Sequence, residues 1–365
     1  MCGRIAGPPT RLKTVTHRLP HSAFFAAGLC SFRSEPPPHW AAVQLPAAAR
    51  VRSCPSIPGC AKPLLRSAIC HRRLTPTTTT TPSVRRMATT AEEQAKLVET
   101  SKRLAAYQAV KDYLLPEYTR VGIGSGSTVV YVVDAIAALG PEVTSKMVFY
   151  PTGSQSEELI EAAGLNLQYI SKLPAGQQLD VAFDGADEVD DDLNLIKGGG
   201  ACLWQEKIVA TSAKRFICVA DFRKLSPRLG TAWKKGIPIE VLPMAAPRVL
   251  DELRRMGSQN PRIRPGLPGK AGATVTDNGM WIIDAPFAPL LLPKDTESGG
   301  QAGDGSNGLW AVDVLADALI KIPGVAEIGL FYGKNGLQVA SGAQKPVAAY
   351  FGMADGTVEV RSPPS

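Results

Sequence analysis

Leu179-Asp-Val-Ala-Phe-Asp184-Gly-Ala-Asp187-Glu-Val189, followed by Lys197-Gly-Gly-Gly200-Ala-Cys-Leu-Trp-Gln-Glu206-Lys207, places a strand, a glycine turn and a helix within one short segment. The apolar run from Leu179 to Phe183 reads as a buried strand whose end delivers Asp184. The segment gathers Asp184, Asp187 and Glu206 near one lysine, Lys197. All four histidines (His17, His21, His39, His71) lie in the first quarter of the chain. If that quarter is removed on import, any acid–base chemistry falls to carboxylates and lysines.

Outward from this segment, strands and helices alternate. Residues 91–115 are expected to be helical, with Leu97, Leu104, Tyr107, Val110 and Leu114 near helical spacing and Pro116 as the stop. A strand at Arg120–Ile123 leads through Gly124-Ser-Gly-Ser-Thr128 into an apolar helix ending near Leu139. Met147–Tyr150 is a strand, and Ser154 to Glu157 reads as a capping box for a helix that ends at Gly164. Leu167–Ile170 and Phe216–Ala220 are further strands. This alternation implies an α/β fold, a Rossmann-like and mostly parallel sheet with helices on both faces.

Beyond Lys224 the pattern changes. Ile237–Leu242 is a strand and Pro247–Met256 a helix. Thr274–Thr276 pairs with Met280–Asp284 across the Asp277-Asn-Gly279 turn, Ala311–Ile320 is helical, and Val325–Phe331 is a strand. These residues suggest a smaller α+β lid at 230–331, carrying a disordered insertion at 293–308. The catalytic domain then spans 88–229 and 332–365.

The chain has 365 residues and a formal net charge of +7, but the charge is unevenly placed. Residues 1–87 hold 13 basic side chains and one acid, a net +12, whereas 88–365 hold 27 basic and 32 acidic, a net −5. A mildly acidic body does not fit a nucleic-acid binder. The Arg-, Pro-, Ser- and Thr-rich start has the composition of a disordered organelle transit peptide, best read as a plastid address, with a mitochondrion, or the cytosol after a start at Met87, as alternatives. Five of the seven cysteines (Cys2, Cys30, Cys54, Cys60, Cys70) sit there. Cys202 and Cys218 in the body form no zinc or disulfide pattern. No run reaches the roughly 18–20 apolar residues that span a bilayer, so a soluble body is expected.

Ser125, Gly126, Ser127 and Thr128 join a strand to a helix N-terminus, where free amides, the helix dipole and hydroxyls suit a phosphate. The spacing is neither a dinucleotide fingerprint nor a P-loop, so a small phosphoester fits better than a nucleotide. Asp184 and Asp187 at a strand end suit Mg²⁺ ligation, acid–base work or hydrogen bonds to sugar hydroxyls. Asp190, Asp191 and Asp192 read as a solvated acidic turn. Lys197 beside three glycines suits an oxyanion that develops during reaction. Glu206, among Leu203, Trp204, Ile208 and Val209, is either a buried base with a raised pKa or a surface partner of Lys207 or Lys214.

Together, Gly124-Ser-Gly-Ser-Thr128, Asp184-Gly-Ala-Asp-Glu188, Lys197-Gly-Gly-Gly-Ala201, Glu206-Lys-Ile208, Ala220-Asp-Phe-Arg-Lys224 and Pro238-Ile-Glu-Val-Leu-Pro-Met244 resemble the ribose-5-phosphate isomerases of type A. The resemblance covers about residues 93–360. It implies interconversion of ribose 5-phosphate and ribulose 5-phosphate without metal or cofactor, in the pentose phosphate route and carbon fixation, by a homodimer or homotetramer. It also implies residue roles. Glu206 is the proton acceptor, and Asp184, Asp187 and Lys197 form the acid–base cluster. Ser125 to Thr128, Gly185, Ala186, Gly198, Gly199, Gly200, Lys224 and Lys102 contact substrate. Ser125 stands where the family usually has Thr, and Trp204-Gln205 replace a more polar pair. The alternatives are a CoA-transferase-like enzyme, in which Glu206 would be a nucleophile, and a non-catalytic sugar-phosphate sensor, for which residues 1–90 lack a helix-turn-helix pattern.

Overall fold

The computed structural model describes residues 90–297 and 300–363. The chain divides into two units, Met1–Thr81 and Pro82–Ser365. The first lies outside the described residues, as does the transit segment expected at 1–87. The second carries every element below.

In chain order these are α1 (Ala91–Tyr113), β1 (Arg120–Ile123), α2 (Val129–Ala137), α3 (Pro141–Thr144), β2 (Val148–Pro151), α4 (Ser154–Ala162), β3 (Val181–Asp184), β4 (Glu188–Val189) and β5 (Leu195–Ile196). Then follow α5 (Leu203–Thr211), β6 (Phe216–Asp221), β7 (Ile237–Val241), α6 (Ala246–Arg255), β8 (Arg262–Ile263), β9 (Trp281–Ala285) and α7 (Pro293–Glu297). The last elements are α8 (Val312–Ile320), β10 (Val325–Ile328), β11 (Leu330–Phe331), β12 (Ala348–Gly352) and β13 (Val358–Arg361).

Six strands form the main sheet in the order β13-β12-β6-β3-β1-β2, parallel except for the edge strand β13. Residues of β3, β6 and β12 are buried throughout, as expected of parallel strands covered on both faces. The pleat sorts them. Val181, Phe183, Ile217, Val219, Ala348 and Tyr350 pack with α1 and α2, whereas Ala182, Phe216, Cys218 and Ala349 fall in the clusters on the α5 side. With a period of two, Asp184 shares the face of Ala182 and meets α5.

A four-stranded antiparallel sheet, β10-β7-β9-β8, buries Ile239, Val241 and Ile283 against α6 and α8. A third, small sheet, β11-β5-β4, links the other two. The strand expected over Val325–Phe331 breaks at Gly329, because its two halves serve different sheets. Gly329 N–H donates to Pro238 O (2.7 Å) and Gly329 O accepts from Lys197 N–H (2.9 Å). A Cβ there would lie 2.3 Å from Lys197 O, so only glycine fits.

Other expectations change in detail. Leu167–Ile170 is not a strand; Leu167 makes a single bridge to Phe149, and Ile170 opens a 3-10 turn. At α4 the capping group is Ser156, whose Oγ accepts from Thr152 N–H (3.0 Å) and Gly153 N–H (3.2 Å). The insertion at 293–308, expected to be disordered, holds α7, anchored by Arg228 Nη2 donating to Asp295 Oδ1 (2.6 Å). Asp190 is fully buried rather than solvated. It accepts from the amides of Asp192 and Asn194 and from the Asn194 side chain, closing the β4–β5 turn. Burial raises its pKa to about 6. Among the described residues, no helix is long and apolar enough to cross a membrane.

Candidate active site

The strand order puts three chain segments side by side. β1 and β3 are neighbours, so the turn after β1 lies beside the end of β3, and Gly124 N–H donates to Phe183 O (2.8 Å). A Cβ on Gly124 would come within 2.0 Å of Asp184 Oδ1, so glycine is required for this approach. Asp184 Oδ1 accepts from Gly185 N–H (2.7 Å) and Ser125 N–H (3.1 Å). The β4–β5 hairpin then folds Lys197 back over the strand end, where its ammonium donates to Gly185 O (2.6 Å) and sits 3.0 Å from Asp184 Oδ2.

α5 completes the cluster. Ser125 Oγ donates to Glu206 Oε1 (2.8 Å), and Lys197 Nζ lies 3.4 Å from the same oxygen. Glu206 Oε2 is buried and has no partner among the described residues. Asp184, Lys197 and Glu206 are only 3%, 2% and 5% exposed. Glu206 is therefore a buried carboxylate and not a surface one. Lys207 bonds Glu327 Oε1, Ile328 O and Leu330 O, and Lys214 pairs with Asp180, leaving Glu206 to Lys197.

Burial dominates the titration of this cluster. It raises the Glu206 pKa to about 7, reinforced by the Asp184 charge and opposed by Lys197. Burial likewise raises Asp184, against Lys197 and two backbone amides. Lys197 loses by burial but is held protonated by Asp184 and Glu206, for a net upward shift. A buried carboxylate with a pKa near neutrality beside a fixed cation has the character of a general base next to an oxyanion site.

Every residue expected at the site except Asp184 lines one cavity of about 680 Å³. Asp184 lies behind Lys197, with Oδ1 bonded to two amides and Oδ2 ion-paired. Asp187 is on the wall. Its Oδ2 accepts from Gly199 N–H (2.6 Å), and burial raises its pKa against the charge of Lys224. Lys102, Arg223, Lys224 and Lys235 also line this cavity, as do Ser127 and Thr128, with Lys102 ion-paired to Glu99 and Arg223 to Asp221. Trp233 lies between two of these cations, with Lys224 Nζ 5.4 Å and Lys235 Nζ 5.0 Å from its ring. Four cations with hydroxyls and a helix N-terminus make an anion pocket.

Trp204 is 38% exposed and does not bury Glu206, whereas Leu203 and Val209 on the same helix are buried. Cavity residues not anticipated include Gln155, whose Oε1 accepts from Gly126 N–H (2.8 Å), and Cys202, whose thiol burial pushes up to about 12. Lys235, Arg264 and the Asp277 turn were also missed. Asp277 Oδ2 accepts from Ser154 N–H (3.3 Å), so the hairpin turn read from sequence closes onto the α4 N-terminus. Among the described residues, no cluster of three or more His, Cys, Asp or Glu suits a metal ion.

Fold and cavity define a class: an α/β enzyme with buried carboxylates clustered about one lysine at a cavity that also carries several basic side chains. The chain belongs to the ribose 5-phosphate isomerase A (phosphoriboisomerase A) family, whose family model matches residues 148–345. It is 47% identical over 274 residues to the ribose-5-phosphate isomerase of Cryptococcus neoformans var. neoformans serotype D, covering 73% of this chain and 80% of that protein. With the Eremothecium gossypii enzyme of the same name the identity is 46% over 269 residues, covering 72% and 92%. Among solved structures, ribose 5-phosphate isomerase A from Methanocaldococcus jannaschii is 29% identical with a TM-score of 0.57, covering 74% of this chain and 99% of that one. A D-ribose-5-phosphate isomerase solved in complex with phospho-erythronic acid is 32% identical with a TM-score of 0.58, covering 73% and 99%.

Proposed function

We propose that this chain catalyses the reversible isomerisation of D-ribose 5-phosphate and D-ribulose 5-phosphate, a reaction of the pentose phosphate pathway, through an enediolate. The observation that carries the reading is the Glu206 carboxylate, buried, held through Oε1 and without a hydrogen-bond partner at Oε2 among the described residues, on the wall of a cavity that several basic side chains also line. The phosphate occupies the pocket of Lys102, Ser127, Thr128 and Lys224. Glu206 removes the C2 proton of the open-chain aldose, Lys197 stabilises the charge that develops on O1, the O2 hydroxyl proton passes to O1, and Glu206 returns the carbon-bound proton to C1.

Asp184, expected in the acid–base cluster, does not line the cavity, and both its oxygens are engaged. Asp187, on the wall with no hydrogen bond to Oδ1 among the described residues, takes the proton of the anomeric hydroxyl and delivers one to the ring oxygen, and Asp184 fixes Lys197. The relative's phospho-erythronic acid carries a phosphate and a planar carboxylate. This cavity has the two poles such a molecule needs.

The test is a ribose 5-phosphate assay on the purified chain with and without EDTA. Equal turnover in both is expected, because each aspartate is already committed to amides or to Lys197. Loss in EDTA restored by Mg²⁺ would favour metal ligation by the aspartates, and no turnover in either would remove the function.

We also propose a plastid address, with a role in carbon fixation, on the strength of the composition of residues 1–87. The two sequence relatives named above are fungal and lend it no support. Residues 1–87 fused to a fluorescent protein are expected to direct it to the plastid; accumulation in mitochondria or the cytosol overturns this.

A further inference from the structure

Arg264 follows β8 in the small antiparallel sheet, yet it lines the cavity. Its guanidinium is used on two sides. Nε and Nη2 donate to Asp284 Oδ2 (3.0 Å) and Oδ1 (2.5 Å), a bidentate pair with only 14% and 5% of the two side chains exposed. Nη1 donates to both Gly198 O and Gly199 O, each at 3.0 Å. Gly198 O also accepts from Ala201 N–H (3.0 Å), closing a turn whose ends have positive φ, Gly198 at 97° and Ala201 at 65°. Such a turn is strained at the non-glycine position and needs outside support to hold one conformation.

In a planar trans peptide the N–H points opposite to the preceding C=O. With the carbonyls of Gly198 and Gly199 turned to Arg264, the amides of Gly199 and Gly200 point the other way. Gly199 N–H meets Asp187 Oδ2, and Gly200 N–H has no acceptor among the described residues. Gly200 lies on the cavity wall. A lysine could not replace this fork, because it cannot hold a carboxylate bidentately and two carbonyls in one plane.

We infer that Arg264, locked by Asp284, is a positioning residue. It sets the two peptide planes so that Gly199 orients Asp187 and Gly200 presents an amide to the enediolate oxygen. The inference rests on the isomerase reading above. Measured on the full chain, Arg264→Met is expected to lower kcat about 100-fold. KM for ribose 5-phosphate and competitive inhibition by inorganic phosphate should stay within about threefold, since Arg264 does not hold the phosphate. Asp284→Asn and Arg264→Lys, which disturb the fork and keep the buried volume, should each lower kcat about tenfold and carry the test if the methionine variant fails to fold. Unchanged kcat in these folded variants overturns the inference. So does a matched loss of phosphate inhibition, which would make Arg264 a phosphate ligand. An inactive wild type would instead remove the isomerase reading.

Discussion

Replacing Glu206 by Gln is expected to lower kcat about a thousandfold or more while leaving KM within about threefold. Gln keeps the length and the oxygen that accepts from Ser125 Oγ, so the helix and cavity wall stay in place. It removes the only feature the reaction needs, a site that can take a proton and give it back. The amide group would occupy the place of Oε2, which has no hydrogen-bond partner among the described residues. Because a buried charge is removed, the melting temperature should hold or rise. Steady-state kinetics with a thermal melt checks both halves. Wild-type turnover would take Glu206 out of the chemistry, and a collapsed fold would make it structural.

Replacing Lys197 by Met should produce the second largest effect. The ammonium is the shared partner of Asp184 Oδ2, Glu206 Oε1 and Gly185 O. Losing a donor to a developing oxyanion typically costs about 100- to 1,000-fold in kcat. The pH profile should move as well, and its sign follows from the charges. Burial raises the Glu206 pKa to about 7 and Lys197 opposes that rise. Without the cation the pKa climbs further, so the acid limb of kcat/KM shifts to higher pH. Stability follows the same sign. A carboxylate raised in the folded state is stabilising below its unfolded pKa, and that contribution fades as pH rises through the folded value. The variant should therefore lose most stability at alkaline pH, roughly 3–5 kcal/mol for a broken buried pair, and less in acid. A limb that stays put or moves down would mean that Lys197 does not face Glu206 in the working enzyme.

The parallel sheet was legible because β1, β3 and β6 are apolar runs ending in glycine or acid, with helices between them. The acid cluster was legible because Asp184 falls at the last position of a buried strand, where the open edge of an α/β sheet binds ligands. What the sequence left open has one physical cause, long-range pairing. Glu206 and Lys207 are adjacent and both buried, a pattern no single helix face explains, because α5 lies between the main sheet and β7 and β10. Each needs a distant partner, Lys197 for one and the Ile328–Leu330 carbonyls for the other. The break at Gly329 was invisible because Val325–Phe331 reads as one continuous strand; only the position of Lys197 and Pro238 shows why it must be glycine. Arg264 carries no local signal, because its partners are glycine carbonyls, which look alike in any sequence.

The most direct test of the central claim is to follow hydrogen during turnover in deuterium oxide by NMR. With Glu206 carrying the proton, deuterium from solvent enters C1 of ribulose 5-phosphate as wild-type protein turns over, and the Glu206→Gln variant shows no such incorporation. Incorporation at the wild-type rate in Glu206→Gln would contradict it.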